Sequence, residues 1–301
     1  MDIRFLESFV AVAECGSIAE AARRLNLTSA ALAQRLQSLE QTLGHPLVMR
    51  AGRTVRPTAS GLAILPSART LIEGARDLSA IAANDEPAGQ LRLGATATSL
   101  TGLMPEIIDK MSQSYPRIEY FVQPGSSIEL YHAVLSGKLD AALIVQPQFA
   151  LPKSTGWLVM RNEPMVLIAP QDISLDDPHA VITKYPFIRY DRSQWGGSIV
   201  DRYLRQNQLK VREWLELDAL DAIAALVSRK LGVAIVPEWA PPWPEGLKIG
   251  KKVLVDAGSR QTGVLWARSG PRDLAVEAFV DICGSIRDDT ARVGSPEMFE
   301  A

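Results

Sequence analysis

Apolar positions in the first sixty residues recur at helical spacing in three short runs. Leu6, Phe9, Val10 and Ala13 mark one face of a helix that Asp2 can cap and Gly16 ends. Ser17, with Glu20 three residues on, has the form of a capping box. It opens a second helix that buries Ala21, Ala22 and Leu25 and stops near Asn26. Three residues later a third helix starts at Thr28 or Ser29, and two short helices joined by so tight a turn are the minimal helix-turn-helix unit, over about residues 17–37. In the third helix Leu32, Leu36, Leu39 and Leu43 line one side, while the other carries Ala30, Ala33, Gln34, Gln37 and Gln41. A solvated helix face usually carries Lys and Glu. Small residues instead let a helix sit deep in a major groove, and Gln pairs bidentately with adenine. Thr28 and Ser29 offer hydroxyls and helix-start N–H groups to a phosphate. Two short strands around a glycine turn, residues 46–50 and 52–57, follow as a wing, with Arg50, Arg53 and Arg56 at steps of three to reach phosphates or the minor groove.

From residue 58 to about 83, Ile64, Ala68, Leu71, Ala75, Leu78 and Ala82 step by alternating fours and threes, a heptad seam flanked by Leu65, Arg69 and Ile72. A winged domain is too small to bury it, so the pattern predicts pairing with a second copy; Pro66 should bend the helix and the polar run 84–89 should end it. Beyond residue 90 apolar strands (91–95, 119–122, 141–145) alternate with helices, and a second block repeats the alternation (strands 165–169, 187–190, 214–217 and 232–237). This βαβαβ order implies parallel sheets covered by helices. The chain returns through 264–267 to a last helix at 274–286, which suggests two lobes crossed twice, near 160–164 and 265–268. Ligands of open α/β sheets sit at the carboxyl ends of strands. That places Thr96, Thr98, Ser99, Ser126, Ser127 and Gln146 in the first lobe and Tyr190, Trp195 and Asp218 in the second as candidate ligand contacts. Helix capping accounts for the Thr/Ser cluster as well as ligand binding does, and Trp195 equally fits plain packing.

Charge changes the picture at one place. The 301-residue chain carries a net -2, yet residues 21–61 hold Arg23, Arg24, Arg35, Arg50, Arg53 and Arg56 against Glu40 alone, which points that segment at a polyanion. Cys15 and Cys283 read as unpaired thiols in a reducing compartment; there is no Cys-x-x-Cys, and His45, His132 and His179 are isolated, so neither a metal nor another cofactor is expected. No Gly-x-Ser-x-Gly, phosphate loop or His-Glu-x-x-His occurs, which argues against an enzyme. No apolar run approaches the roughly 18–20 residues of a membrane helix, and Met1-Asp2-Ile3-Arg4 does not open a signal peptide. A cytoplasmic protein is expected.

The residues Phe9-Val10-Ala11-Val12-Ala13-Glu14-Cys15-Gly16-Ser17, Ala19-Glu20-Ala21-Ala22-Arg23-Arg24-Leu25, Leu27-Thr28-Ser29-Ala30-Ala31-Leu32, Leu39-Glu40, Leu43-Gly44-His45-Pro46-Leu47 and Arg56-Pro57-Thr58-Ala59-Ser60-Gly61 resemble the LysR-type transcriptional regulators. Farther on, residues 226–237 (Leu-Val-Ser-Arg-Lys-Leu-Gly-Val-Ala-Ile-Val-Pro) continue the likeness. The chain departs from the family at Ala30 (usually Pro or Ser), Ala33 (Ser or Thr), Gln34 (often basic) and Val48 (Phe), and loss of a hydroxyl at Ala33 implies an unusual sequence preference. The resemblance implies a winged helix-turn-helix over 1–58, a linker and dimerisation helix with hinge over 59–88, and a two-lobed α/β effector domain like a type 2 periplasmic-binding protein over 89–301. Lobe I would span about 89–161 and 267–301, lobe II about 162–266. It further implies contacts to double-stranded DNA from Ser17, Thr28, Ser29, Ala30, Ala33, Gln34, Arg35, Gln37, Arg50, Arg53 and Arg56. A homodimer through the linker helix, assembly to a tetramer, a carboxylate or aromatic effector, and RNA polymerase as a further partner on the nucleoid complete the expectation. The alternative from the residues alone is a ligand-binding or interaction module whose N-terminal helices serve assembly, not DNA.

Overall fold

The computed structural model describes residues 2–52, 54–82 and 87–293, and the chain divides into two compact units, Met1–Asn84 and Asp85–Ala301. In the first unit, α1 (Ile3–Cys15) is capped by Asp2, whose carboxylate accepts from the Arg4 N–H at 2.9 Å. It ends at Gly16, which adopts the left-handed conformation (φ 64°) that glycine reaches without strain. The buried face of α1 is Leu6, Phe9, Ala11 and Val12; Val10 and Ala13, expected there, are half-buried. In α2 (Ile18–Arg24) the Ser17 hydroxyl accepts from the Glu20 N–H, but the Glu20 carboxylate turns to Arg23, so half of the expected capping box forms. A four-residue link with Asn26 at φ 53° leads to α3 (Ser29–Leu43), capped by the Thr28 hydroxyl. Leu32, Leu36 and Leu39 are buried as the pattern predicts, each contributing roughly 1.5–3 kcal/mol; Leu43, one turn past them, is exposed.

The wing is the antiparallel pair β1 (Val48–Ala51) and β2 (Thr54–Pro57), with Met49 opposite Arg56 and Arg50 opposite Val55. Three hydrogen bonds tie it to the helices. The Val55 N–H donates to the Gly16 carbonyl at 2.8 Å, and one oxygen of Glu40, on α3, accepts from the N–H groups of Leu47 and Val48 at 2.7 and 3.2 Å. The long helix α4 (Ala59–Ala82) packs its first half into the same core, with Ala68 and Ile72 buried and Ile64 and Leu65 half-buried. Part of the expected heptad seam is therefore internal packing. Leu71 and Leu78, one heptad apart, stay exposed.

The second unit opens with β3 (Gly89–Ala95), α5 (Ala97–Gly102), α6 (Met104–Ser114), β4 (Ile118–Pro124), α7 (Ser127–Leu135) and β5 (Ala141–Val145). β3 lies between β4 and β5, parallel to both. A single long strand, β6 (Thr155–Pro170), then runs from one lobe into the other, where the sequence showed only its second half. Lobe II holds α8 (Pro178–Lys184), β7 (Pro186–Tyr190), α9 (Trp195–Gln206), β8 (Arg212–Leu217), α10 (Leu220–Ser228), β9 (Ala234–Pro237) and β10 (Ile249–Val253). β7 and β8 are parallel, whereas β9 and β10 flank the second half of β6 antiparallel, so neither lobe is the purely parallel sheet expected. After a 3-10 turn (Val255–Ala257), β11 (Ser259–Ala267) runs antiparallel to β5 and to residues 155–164 of β6 along its whole length. The return crossing thus lies just before Ser259, not at 265–268. The last helix, α11 (Asp273–Val293), packs on lobe I as expected, sharing a core with Ile107, Met111 and Leu93.

The Glu40 bonds carry a prediction. Glu40→Ala leaves two half-buried N–H groups unpaired at the base of the wing and should destabilise the first unit by about 1–3 kcal/mol; Glu40→Gln keeps one acceptor and should cost less. Urea unfolding of the two variants, followed by far-UV dichroism, checks the order.

Candidate functional site

Two surfaces carry chemistry, one on each unit. On the first, the side of α3 opposite the buried leucines is open: Ala30, Ala33, Gln34 and Gln37 are exposed, as are Thr28 and Ser29 at its start. The Ser17 and Thr28 hydroxyls each accept one cap bond, which leaves the hydroxyl proton for an acceptor outside the helix. The arginines divide into two groups. Arg24 and Arg69 both bind Glu14, at 2.8 and 3.0 Å, clasping α1, α2 and α4 together, and Arg23 binds Glu20. Arg50 and Arg56 protrude from the wing, exposed and without an ion pair among the described residues. Half-buried Arg35 lies close to Asp2, whose carboxyl is held at about 2, first by the Arg4 hydrogen bonds and in smaller part by the charge of Arg35. Arg53 lies outside the described residues. The cationic strip that sequence counting assigned to one segment is thus narrower in space and centred on the wing.

On the second unit a cleft of about 730 Å³ opens between the lobes. Lobe I supplies Thr96, Thr98, Ser126 and Ser127, and lobe II supplies Tyr190 and Asp218, all placed by the carboxyl-end rule. Ser99, Gln146 and Trp195 do not line it. Ser99 is buried beneath the α5 start, where its hydroxyl accepts from Thr96 at 2.9 Å. Gln146 faces a separate depression with Gln148 and Arg202. Trp195 packs edge-on against Tyr131 and Phe149, with ring centroids 5.8 and 5.7 Å away, on the bland packing alternative rather than the ligand one.

Most of the cleft hydroxyls are already engaged. Ser126 closes a complete capping box with Glu129, and the Ser127 hydroxyl accepts from the Val145 N–H at 3.1 Å. The group that organises what remains is Arg260, which sequence reasoning missed. It is buried at the return crossing, at the first inward position of β11, where its Nε donates to Glu163 of β6 at 2.5 Å. Its Nη1 donates to the Tyr190 hydroxyl at 3.3 Å and its Nη2 to the Thr98 hydroxyl at 3.1 Å, so it touches both lobes. A signal existed: Arg260, Thr262 and Val264 alternate onto one face, but only the apolar run from Val264 looks like a strand.

The apolar wall was also missed. It follows β9, at the carboxyl end of a strand like the rest, and consists of Trp239, Pro242, Trp243 and Pro244, with a cis bond before Pro242. The two indoles stack at 3.6 Å and 8°, and Lys251 caps the Trp243 ring at 3.2 Å. Gly102, the last residue of α5, lets this segment close in, since a Cβ there would lie 2.9 Å from the Ala240 carbonyl oxygen. Among the described residues no group of three or more His, Cys, Asp or Glu is placed to hold a metal, and no helix is long and apolar enough to cross a membrane.

Comparison with known proteins agrees with both surfaces. Residues 3–62 match the bacterial regulatory helix-turn-helix model of the lysR family, and residues 84–286 match the LysR substrate binding domain. The chain is 28% identical over 278 residues to the HTH-type transcriptional regulator IlvR of Caulobacter vibrioides, covering 89% of this chain and 93% of that one. Against the HTH-type transcriptional activator IlvY of Salmonella typhimurium it is 26% identical over 247 residues, 79% of this chain and 83% of that one. Full-length CbnR complexed with its target DNA has the same fold, with a TM-score of 0.67 at 21% identity, covering 95% of this chain and 100% of that one. An OxyR mutant of Corynebacterium glutamicum gives 0.61 at 21% identity, covering 97% and 94%. With an open amide-bearing helix and wing on one unit, a two-lobed cleft on the other, and both family models matched in order, the chain belongs to the LysR family: it is a DNA-binding transcriptional regulator with an effector-binding domain and not an enzyme.

Proposed function

We propose that Gln34 and Gln37 read base edges in the major groove while Arg50, Arg53 and Arg56 engage phosphates or the minor groove alongside. The observation that carries this reading is the amphipathicity of α3: three buried leucines fix which side is inward, and the side left outward is small and amide-bearing. Thr28 and Ser29 serve phosphates at the helix start, and Ala33 gives up a hydroxyl contact that Gln34 and Gln37 replace. The exposed Leu71 and Leu78 pair with the same stripe of a second copy, placing two recognition helices on successive turns of an interrupted palindrome. Effector domains associate the dimers into a tetramer. A small metabolite bearing a carboxylate or an aromatic ring occupies the cleft between the lobes, and its binding changes the spacing of the dimers, the bend of the DNA and the access of RNA polymerase. The protein works in the cytoplasm on the nucleoid. Matches to both family models leave nothing to favour the DNA-free module.

Mobility shifts on fragments recovered from the genome test the interface. Gln34→Ala with Gln37→Ala should cut discrimination against mismatched sites by about 1–3 kcal/mol per lost bidentate pair. Arg50→Ala or Arg56→Ala should weaken all sites alike and reduce the salt slope by about one; if all three variants bind every fragment as the parent does, the assignment fails. Leu71→Glu with Leu78→Glu should shift the assembly toward smaller species in sedimentation, with the first unit still folded, because neither side chain belongs to its core.

A further inference from the structure

The cleft is asymmetric in a way that narrows its ligand. On one wall the hydroxyls of Thr98 and Tyr190 both accept from Arg260, so their own protons have no acceptor among the described residues and turn to the cavity. Arg260 spends three of its five N–H donors on Glu163, Tyr190 and Thr98, and two remain. This corner is a cluster of donors that expects an acceptor.

The other charged groups of the lining are acidic: Asp218, which follows the register partner of Tyr190 and so adjoins the donor corner, Asp221 and Glu245. The charge of Arg260 is offset by Glu163, and Lys251, over the Trp243 ring, pairs with Glu238 at 3.9 Å. Burial together with the carboxylates of Asp191 and Glu129 pushes the Asp218 carboxyl up from its ordinary value, with Arg260 opposing. A simple carboxylate would enter a lining whose net charge is negative. A simple amine would leave the donor corner unmatched. The remainder of the lining includes an apolar surface of Leu100, Leu220, Trp239 and Pro242.

We infer that the cleft takes an α-amino carboxylate with an apolar side chain: the carboxylate meets Thr98, Tyr190 and Arg260, the ammonium meets Asp218, and the side chain lies against Leu100, Leu220 and Trp239. This inference rests on the cleft being the effector site and deepens that reading. Each charged end engages a different part of the cleft, and neither end alone satisfies it.

Calorimetric titration of the full chain without DNA tests it. The probes are the standard L-amino acids with apolar side chains, each beside its amine-free carboxylate (isocaproate for leucine, hydrocinnamate for phenylalanine) and its decarboxylated amine (isopentylamine, phenethylamine). At least one amino acid should bind about tenfold or more tightly than both of its truncated partners, which is about 1.4 kcal/mol. Asp218→Asn should erase the advantage over the carboxylate, in part by raising carboxylate affinity as the lining loses a negative charge; Thr98→Val and Tyr190→Phe should erase the advantage over the amine. Carboxylates that bind as tightly as their amino acids overturn the ammonium assignment while keeping an effector cleft. Amines that bind as tightly overturn the carboxylate assignment, and silence from every amino acid overturns the proposal. Because DNA is absent, none of these outcomes is confused with a failure of the DNA interface.

Discussion

A buried arginine, Arg260, organises the effector cleft, which is arranged around keeping it satisfied. Removing a guanidinium from water is repaid only when a carboxylate and further acceptors surround it. Glu163 supplies the charge, and the Thr262 hydroxyl supports Glu163 from the adjacent strand at 3.2 Å. Glu163 sits on β6 and Arg260 on β11, the two strands where the chain passes between lobes, and their register holds Arg260 opposite Glu163. The ion pair therefore fixes the crossing. It also fixes the direction of the Thr98 and Tyr190 hydroxyls, one from each lobe, because each must accept from the same guanidinium. Chemistry in the cleft is set by a charge that is itself out of solvent.

The DNA-binding unit shows the same logic with apolar groups. Leu32, Leu36 and Leu39 have one way to be buried, and burying them rotates Gln34 and Gln37 outward. Glu14 clasps Arg24 together with Arg69, and Glu20 binds Arg23, so two of the six arginines counted in the basic segment are engaged within the unit. Glu40, which a charge tally enters as a subtraction from the basic segment, instead holds the wing at a fixed place relative to α3. The exposed wing arginines are positioned by a carboxylate.

Periodicity carried the helices and the parallel strands because their signals are local: Asp2, Ser17 and Thr28 cap where the pattern says, and residues 141–145 are an unbroken apolar run. It was weakest where burial depends on partners far along the chain. The first half of β6 alternates too unevenly to look like a strand, and β10, carrying Gly250, Lys251 and Lys252, gains its strand character from β6 alone. The seam in α4 has one period but two fates, since Ala68 faces α1 while Leu71 does not, and spacing cannot say which copy of a helix covers a leucine. In the cleft, the carboxyl-end rule placed Thr98, Tyr190 and Asp218 but also Ser99 and Trp195, because it locates loops and not side-chain directions. Arg260 escaped because an arginine inside a sheet contradicts the pattern that locates strands, and such contradictions are where functional groups are found.

The division of labour across the cleft bears on how a ligand could act at a distance. A ligand shifts a conformational equilibrium only by its difference in affinity for the two states. A molecule held by one lobe contributes equally whether the lobes are apart or together and changes nothing. Thr98 belongs to lobe I and Asp218 to lobe II, so a ligand that needs both is worth more when they approach. Away from the cleft the lobes already meet, through Trp195 against Tyr131 and Phe149 and through Gln148, which binds Ser198 at 3.1 Å and Arg202 at 2.6 Å. Those contacts join the two lobes on the side away from the cleft, which would keep the ordering cost of any closure on the proposed ligand small. Under the proposed assignment a carboxylate would already bridge the lobes through Thr98 and Tyr190, and an ammonium on Asp218 would add a further lobe II contact, so a molecule with both charges would favour closure more than the carboxylate alone.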